Sequence, residues 1–184
     1  MAFQPIKRQR GFTLLELIVV IIVISILGLF AIDRIWALRI AAEQAAVSQI
    51  VGSIRSALGL EVARLALAGD ISAVAKLDKT NPVPLLAQAP NNYLGEKDND
   101  HGMTETGAWY YDKQLQMLVY NVIYSENLVS PLSGVPRIRY QLKLVFNDQN
   151  KNNRFDIHHD SIGGLDLFPV ESFKWNSTAK INYE

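Results

Sequence analysis

An α+β fold is predicted, in which one long amino-terminal helix spans a membrane with its first half and packs on an antiparallel sheet with its second. Three features of the sequence predict it. The stretch from Phe12 to Ile32 is apolar apart from Thr13, Glu16, Ser25 and Gly28. Beyond it Val47, Ile50, Val51, Ile54, Leu58, Val62 and Leu65 recur at spacings of three and four, and no proline interrupts between Thr13 and Pro82. From Arg137 to Phe146 the apolar positions alternate instead, with Ile138, Tyr140, Leu142, Leu144 and Phe146 on one side of a strand.

The apolar stretch is long enough to cross a hydrocarbon core of about 30 Å, which takes roughly 20 helical residues at about 1.5 Å each. Glu16 is its anomaly. A carboxylate in a spanning helix costs of order 2.5 kcal/mol or more, so such a residue is expected to have a function and a partner. A short basic head with Lys7, Arg8 and Arg10 ends in Gly11, directly before the apolar run. An ordinary secretory signal has its small residues after the apolar core, whereas here the cut would fall before a helix that is kept. The basic head puts the amino terminus in the cytoplasm and everything after Ile32 outside it.

Gly11, Phe12, Thr13, Leu14, Leu15 and Glu16, between basic residues and an apolar helix, resemble the class III signal of type IV pilins and type II secretion pseudopilins. The resemblance is strong over about the first 30 residues and implies a pilin-like fold. It further implies a prepilin peptidase that cuts after Gly11 and methylates the new terminus at Phe12. Glu16 would meet the N-terminal amine of a neighbouring subunit during assembly, where a buried carboxylate and ammonium offset each other's desolvation. Implied partners are like or related pilin subunits in a homo- or hetero-filament, an inner-membrane assembly platform and membrane lipid. The subunit would sit single-pass in the inner membrane, then enter a periplasmic or extracellular filament. A plain single-pass anchor is the alternative, with Glu16 reaching the headgroups from one turn inside the helix.

The resulting division is a leader over 1–11, a membrane and filament-core helix over 12–33, and its continuation over 34–68. A short helix and variable loop follow over 69–107, and a carboxy-terminal sheet region over 108–184. At 184 residues the chain allows one modest domain outside the membrane. Losing the leader leaves 15 basic against 18 acidic residues, a net of −3 that gives no sign of general nucleic-acid binding. With no cysteine, the exported part has no disulfide, so packing or a bound ion must stabilise it.

The long helix is predicted from about Thr13 to about Ala68, with Gly69 as its stop. Ala41, Ala42, Ala45 and Ala46 would make a poorly filled coiled-coil seam. Many pilins carry a proline near the position of Asp33 and Arg34, so its absence leaves Gly28 and Gly52 as the weak points. Asp70 can cap a short helix from Ile71 to about Leu77. The segment with Pro82, Pro84, Pro90 and Gly95 reads as a long connector, either functional or a solvated linker. Ala108 to Asp112 reads as a strand with Trp109 and Tyr111 on one face, Lys113 and Gln114 as a turn, and Leu115 to Tyr124 as the hairpin partner. The strand from Arg137 to Phe146 is expected to be apolar on one face and wet and basic on the other. Leu165 to Phe173 and the terminal KINYE add further pairing, with Pro169 restricting its segment to an edge.

No catalytic constellation stands out, and the chain is read as a non-enzyme. There is no phosphate-cradling glycine loop, and His101, His158 and His159 lack zinc spacing with thiolates. His158, His159 and Asp160 are a candidate transition-metal group or a solvated loop. In Asp148 to Asp156 oxygen-bearing side chains recur at Asp148, Asn150, Asn152 and Asp156, the spacing with which a tight loop wraps calcium. It resembles the first nine positions of EF-hand-type loops, with two departures. Asn153 replaces the usual Gly, and His159 stands where a bidentate Glu is expected, with Asp160 adjacent. The segment is therefore either a calcium loop of Asp148, Asn150, Asn152, Asp156 and Asp160 or an Asn/Asp-rich turn that binds nothing. Calcium sites near the carboxy-terminal sheet occur in some pseudopilins.

Four roles fit these features: a pilus subunit, a minor or tip pseudopilin of a type II secretion system, a DNA-uptake or adhesion pilin using Arg137, Arg139 and Lys143, and an enzyme or sensor on an uncut anchor.

Overall fold

The computed structural model describes residues 11–98 and 105–176, without the side chain of Asp33. The leader with Lys7, Arg8 and Arg10, His101 and the terminal KINYE lie outside the described residues. Helix α1 runs Leu14–Leu67, 54 residues, which is about 81 Å at 1.5 Å per residue. Thr13 caps its start, the Oγ1 accepting from the Glu16 N–H at 3.3 Å. Its end is a Schellman motif: Gly69 at φ +76° donates to Ala66 O while Asp70 donates to Leu65 O. Glycine suits that left-handed position because a Cβ would be strained there.

The face of α1 that turns inward carries Ile40, Glu43, Val47, Val51, Ile54, Leu58 and Leu65, all buried. They pack on a five-stranded sheet of order β1-β2-β3-β5-β6. Its strands are β1 Tyr93–Lys97, β2 Trp109–Asp112, β3 Met117–Asn121, β5 Arg137–Asn147 and β6 Ser161–Pro169. Two short strands, β4 Leu128–Val129 and β7 Lys174–Trp175, form a separate antiparallel pair. Trp109, Leu118, Tyr120, Ile138, Tyr140, Leu142 and Leu167 face the helix and close the core. Trp109 lies against Tyr120 with ring centroids 4.9 Å apart, so these aromatics serve packing.

The sheet departs from the sequence reading in three ways. It is mixed rather than antiparallel throughout, because β1 pairs parallel with β2 inside what reads as a loop. Gly95, at φ +85°, lies where the β1 register shifts between Tyr93 and Glu96. The β2–β3 turn is longer than Lys113 and Gln114, since Asp112 Oδ1 accepts from the Gln114 and Leu115 amides and delays β3 to Met117. β3 also stops at Asn121, short of Tyr124, where Ile123 and Tyr124 turn their amides to the helix. The helix after Asp70 is only Ser72–Ala75, with the Asp70 carboxylate accepting from the Ala73 amide at 3.3 Å. The turn that follows is stitched to β5: Lys79 N–H donates to Leu142 O, and Asp78 Oδ1 accepts from the Leu144 amide. β6, ending in Pro169, is an edge strand.

Candidate functional site

Gly11 and Phe12 precede the helix in non-helical backbone, and Phe12 is exposed. Thr13 and Glu16 hold the N-cap and N3 positions of a capping box, of which the Thr13 half is formed. Among the described residues the Glu16 carboxylate has no hydrogen-bond partner, and it is exposed in the first turn. Every large apolar side chain from Leu14 to Ile32 is exposed as well. Ser25 Oγ donates to Ile21 O at 2.7 Å, so its hydroxyl is satisfied within the helix. The helix continues unbroken through Gly28 and Gly52. This half is a helix long and apolar enough to cross a membrane.

Where α1 reaches the sheet, a buried charge joins the two. Glu43 accepts from the Ile123 amide at 2.6 Å and the Tyr120 hydroxyl at 2.9 Å through Oε1, and from the Tyr124 amide at 3.1 Å through Oε2. Burial pushes the Tyr120 phenol up from its ordinary value, and the charge and hydrogen bond of Glu43 add to it. One turn below Ile40, Trp36 meets Tyr124 edge-to-face at 6.1 Å, and the Arg39 guanidinium lies 5.3 Å from its ring centroid. Glu43 was not singled out in the sequence, although a carboxylate three after Ile40 and four before Val47 on an apolar stripe is a readable signal.

The loop between β5 and β6 brings together the residues of the calcium-type spacing. Asp148 accepts from the Asn152 and Asn153 amides, and Asn153 stands at φ +59°, the left-handed position that glycine takes in such loops. Asn150 Nδ2 and Asn152 Nδ2 both donate to Asp156 Oδ2, at 2.8 and 2.7 Å. These bonds hold the Asp156 carboxyl below its usual range. Asp160 braces the loop instead, accepting from the Gln149 and Asp156 amides. Asn150 Oδ1 and Asn152 Oδ1 accept from the Asn152 and Arg154 amides, so in this arrangement the loop is closed by its own hydrogen bonds. Among the described residues no group of three or more His, Asp and Glu is arranged to hold a metal, the His158, His159 and Asp160 run included.

The basic face of β5 is less open than its sequence suggests. Arg139 makes a two-pronged pair with Glu171, both side chains largely buried. Arg137 Nη1 donates to Ser133 O and Val135 O, and Lys143 is exposed. On the neighbouring edge strand, Asp166 is bound by Arg55 at 2.9 Å, and Leu167 O accepts from Arg55 at 2.8 Å, tying α1 to β6.

A long helix, bare and apolar at its amino end and packed on a sheet at its other, defines an α+β, pilin-like architecture. The family model for the prokaryotic N-terminal methylation motif matches residues 6–32, the class III prepilin signal of type IV pilins and pseudopilins. That signal is of the kind that prepilin peptidases process in pilin-type subunits, and together with the apolar half of α1 it supports a pilin-like or pseudopilin protein and fits a membrane anchor. No curated protein and no solved structure matches the chain.

Proposed function

We propose that the chain is a structural subunit of a type IV pilus-like filament, cut after Gly11, methylated on Phe12 and drawn from the inner membrane into a filament core made of its α1 helices. The observation that carries this reading is the unbroken helix with its apolar half bare and the methylation motif at its head. Lipid covers that half before assembly, and the same half of neighbouring subunits covers it afterwards. Glu16 pairs with the Phe12 amine of a neighbour. Intact-mass measurement of the membrane-assembled protein tests the first step. A chain beginning at Phe12 with one added methyl group is expected, and Gly11→Val is expected to block processing; a chain beginning at Met1 or Ala2 would overturn it.

The loop at Asp148 to Asp160 favours a second reading, a minor or tip pseudopilin of a type II secretion system, because its oxygen donors and the left-handed Asn153 suit calcium. In this reading Asp148, Asn150, Asn152 and Asp156 hold the ion, which would supply fixed charge to the loop, and Asp160 braces it. Low abundance relative to a major subunit in sheared filaments would separate this reading from the first. A DNA-uptake role draws less support, since Arg139 is already paired with Glu171.

A further inference from the structure

Trp36 is the place where the inward stripe of α1 leaves the sheet. It stands four residues before Ile40 on the same face, but it is 42% exposed where Ile40 is buried. Around it Ile35, Leu38 and Ile123 are also exposed, Ile123 at 48% and contributed by the body rather than the helix. Arg34 is exposed on the same turn and Arg39 stacks over the indole. We propose that this collar, centred on Trp36, Arg39 and Tyr124, seats the body of the unassembled subunit on the outer surface of the membrane, with phospholipid headgroup phosphates as its ligand. The proposal rests on the reading of α1 as a spanning helix.

Height along α1 supports it. Phe12 to Ile32, two residues of non-helical chain and then helix from Leu14, covers about 30 Å, the thickness of the hydrocarbon core. Trp36 then lies about 6 Å farther out, inside a headgroup layer that is roughly 5–8 Å deep on each side. An indole at that depth keeps its apolar ring on the chains and its N–H toward water, which is why Trp and Tyr collect at both interfaces. The two arginines supply the charge that phosphate requires and bury their stems along the same apolar surface. Glu43 fixes the body at this height. Its carboxylate binds the Ile123 and Tyr124 amides, so the exposed Ile123 and the Tyr124 ring are held beside Trp36 rather than left on a free loop.

The test uses the full chain in vesicles of phosphatidylethanolamine and phosphatidylglycerol. Trp36 emission is taken as the difference from a Trp36→Phe variant, which leaves the buried Trp109 and the half-buried Trp175 in place. Nitroxide lipids labelled at the headgroup should quench it more than lipids labelled near the chain end, and aqueous iodide should quench it weakly. Arg39→Glu should lose part of the headgroup quenching, with recovery in Arg39→Lys. Quenching by iodide without quenching by lipid labels would overturn the proposal, because the body would then stand clear of the bilayer. Shelter from iodide and from both labels would overturn it too, by showing that a neighbouring subunit covers Trp36. A fluorophore at Ile22→Cys should be quenched by the chain-end label. If it is not, the spanning reading has failed and the proposal falls with it; if it is while Trp36 behaves as in water, the collar alone is wrong.

Discussion

Glu43 carries a charge into an apolar stripe, and its donors are what make that tolerable. Removing the carboxylate leaves the Ile123 and Tyr124 amides and the Tyr120 hydroxyl without their acceptor. An unsatisfied buried donor costs about 1–3 kcal/mol and the Tyr120 hydroxyl is the buried one of the three, so Glu43→Ala should lose about 1–3 kcal/mol, and Glu43→Gln, which keeps one acceptor oxygen, clearly less. The denaturant midpoint of the full chain in detergent measures both; equal losses would mean that the amides find water instead. A second residue-scale effect belongs to Tyr140. Burial pushes its phenol up to about 12, against a smaller downward pull from Arg55. The folded state therefore holds this proton over a range in which the unfolded chain, near 10, has released it. The contribution is complete below about pH 10 and is lost as pH rises toward 12, a decline of order 2 kcal/mol. Tyr140→Phe should flatten that part of the stability curve. Gly11, Phe12 and Glu16 stand out in the sequence because a short motif carries them. Glu43 is readable as a carboxylate on an apolar stripe, but its acceptor role depends on two amides about 80 positions away.

Among the elements, α1 was legible to within a residue at each end, since a capping threonine, an unbroken apolar period and a stop glycine all act locally. The same is true of β5, whose alternation is fixed by one buried face. β1 was missed for the opposite reason. It is five residues containing a glycine, and only its parallel pairing with β2 makes it a strand. The β4–β7 pair joins segments with no periodicity of their own. The β5–β6 loop shows both limits: its donor spacing and the left-handed Asn153 were legible, but the bracing role of Asp160 needed coordinates. If the loop holds calcium, affinity should be weak, in the roughly 10⁻⁴ to 10⁻³ M range of extracellular modules, because it offers few charges. Millimolar calcium should then raise the thermal midpoint of the full chain, the added stability being about 2.7 kcal/mol at 100 times the dissociation constant and only a few tenths near it. An unchanged midpoint, or the same rise in an Asp148→Ala, Asp156→Ala double variant, would leave a turn that binds nothing. Without calcium the loop should loosen in acid, since Asp156 is held below its usual range and its bonds to Asn150 and Asn152 are lost as pH falls through that lowered value.

At the scale of the whole molecule, two environments must accept the same helix, and Glu16 is the residue on which they disagree. In the bilayer its charge costs of order 2.5 kcal/mol or more, so Glu16→Leu should insert as well as the parent chain or better. In the filament the carboxylate is proposed to neutralise the Phe12 amine of a neighbour, and an amine left alone among apolar helices is strongly unfavourable. Glu16→Leu should therefore accumulate in the membrane and fail to enter filaments. The capping box complicates the reading, because the N3 position of Glu16 also gives it a local role beside Thr13. Glu16→Gln separates the two roles: it keeps a capping side chain of the same length but carries no charge. If pairing with the amine is what assembly needs, Gln should fail as Leu does, with membrane levels unchanged. If capping is what matters, Gln should assemble and only Leu should fail, each change costing the helix end no more than about 1 kcal/mol. Filament yield relative to the membrane pool, measured for the three chains side by side, decides between them, and a normal yield from Glu16→Leu would remove both roles.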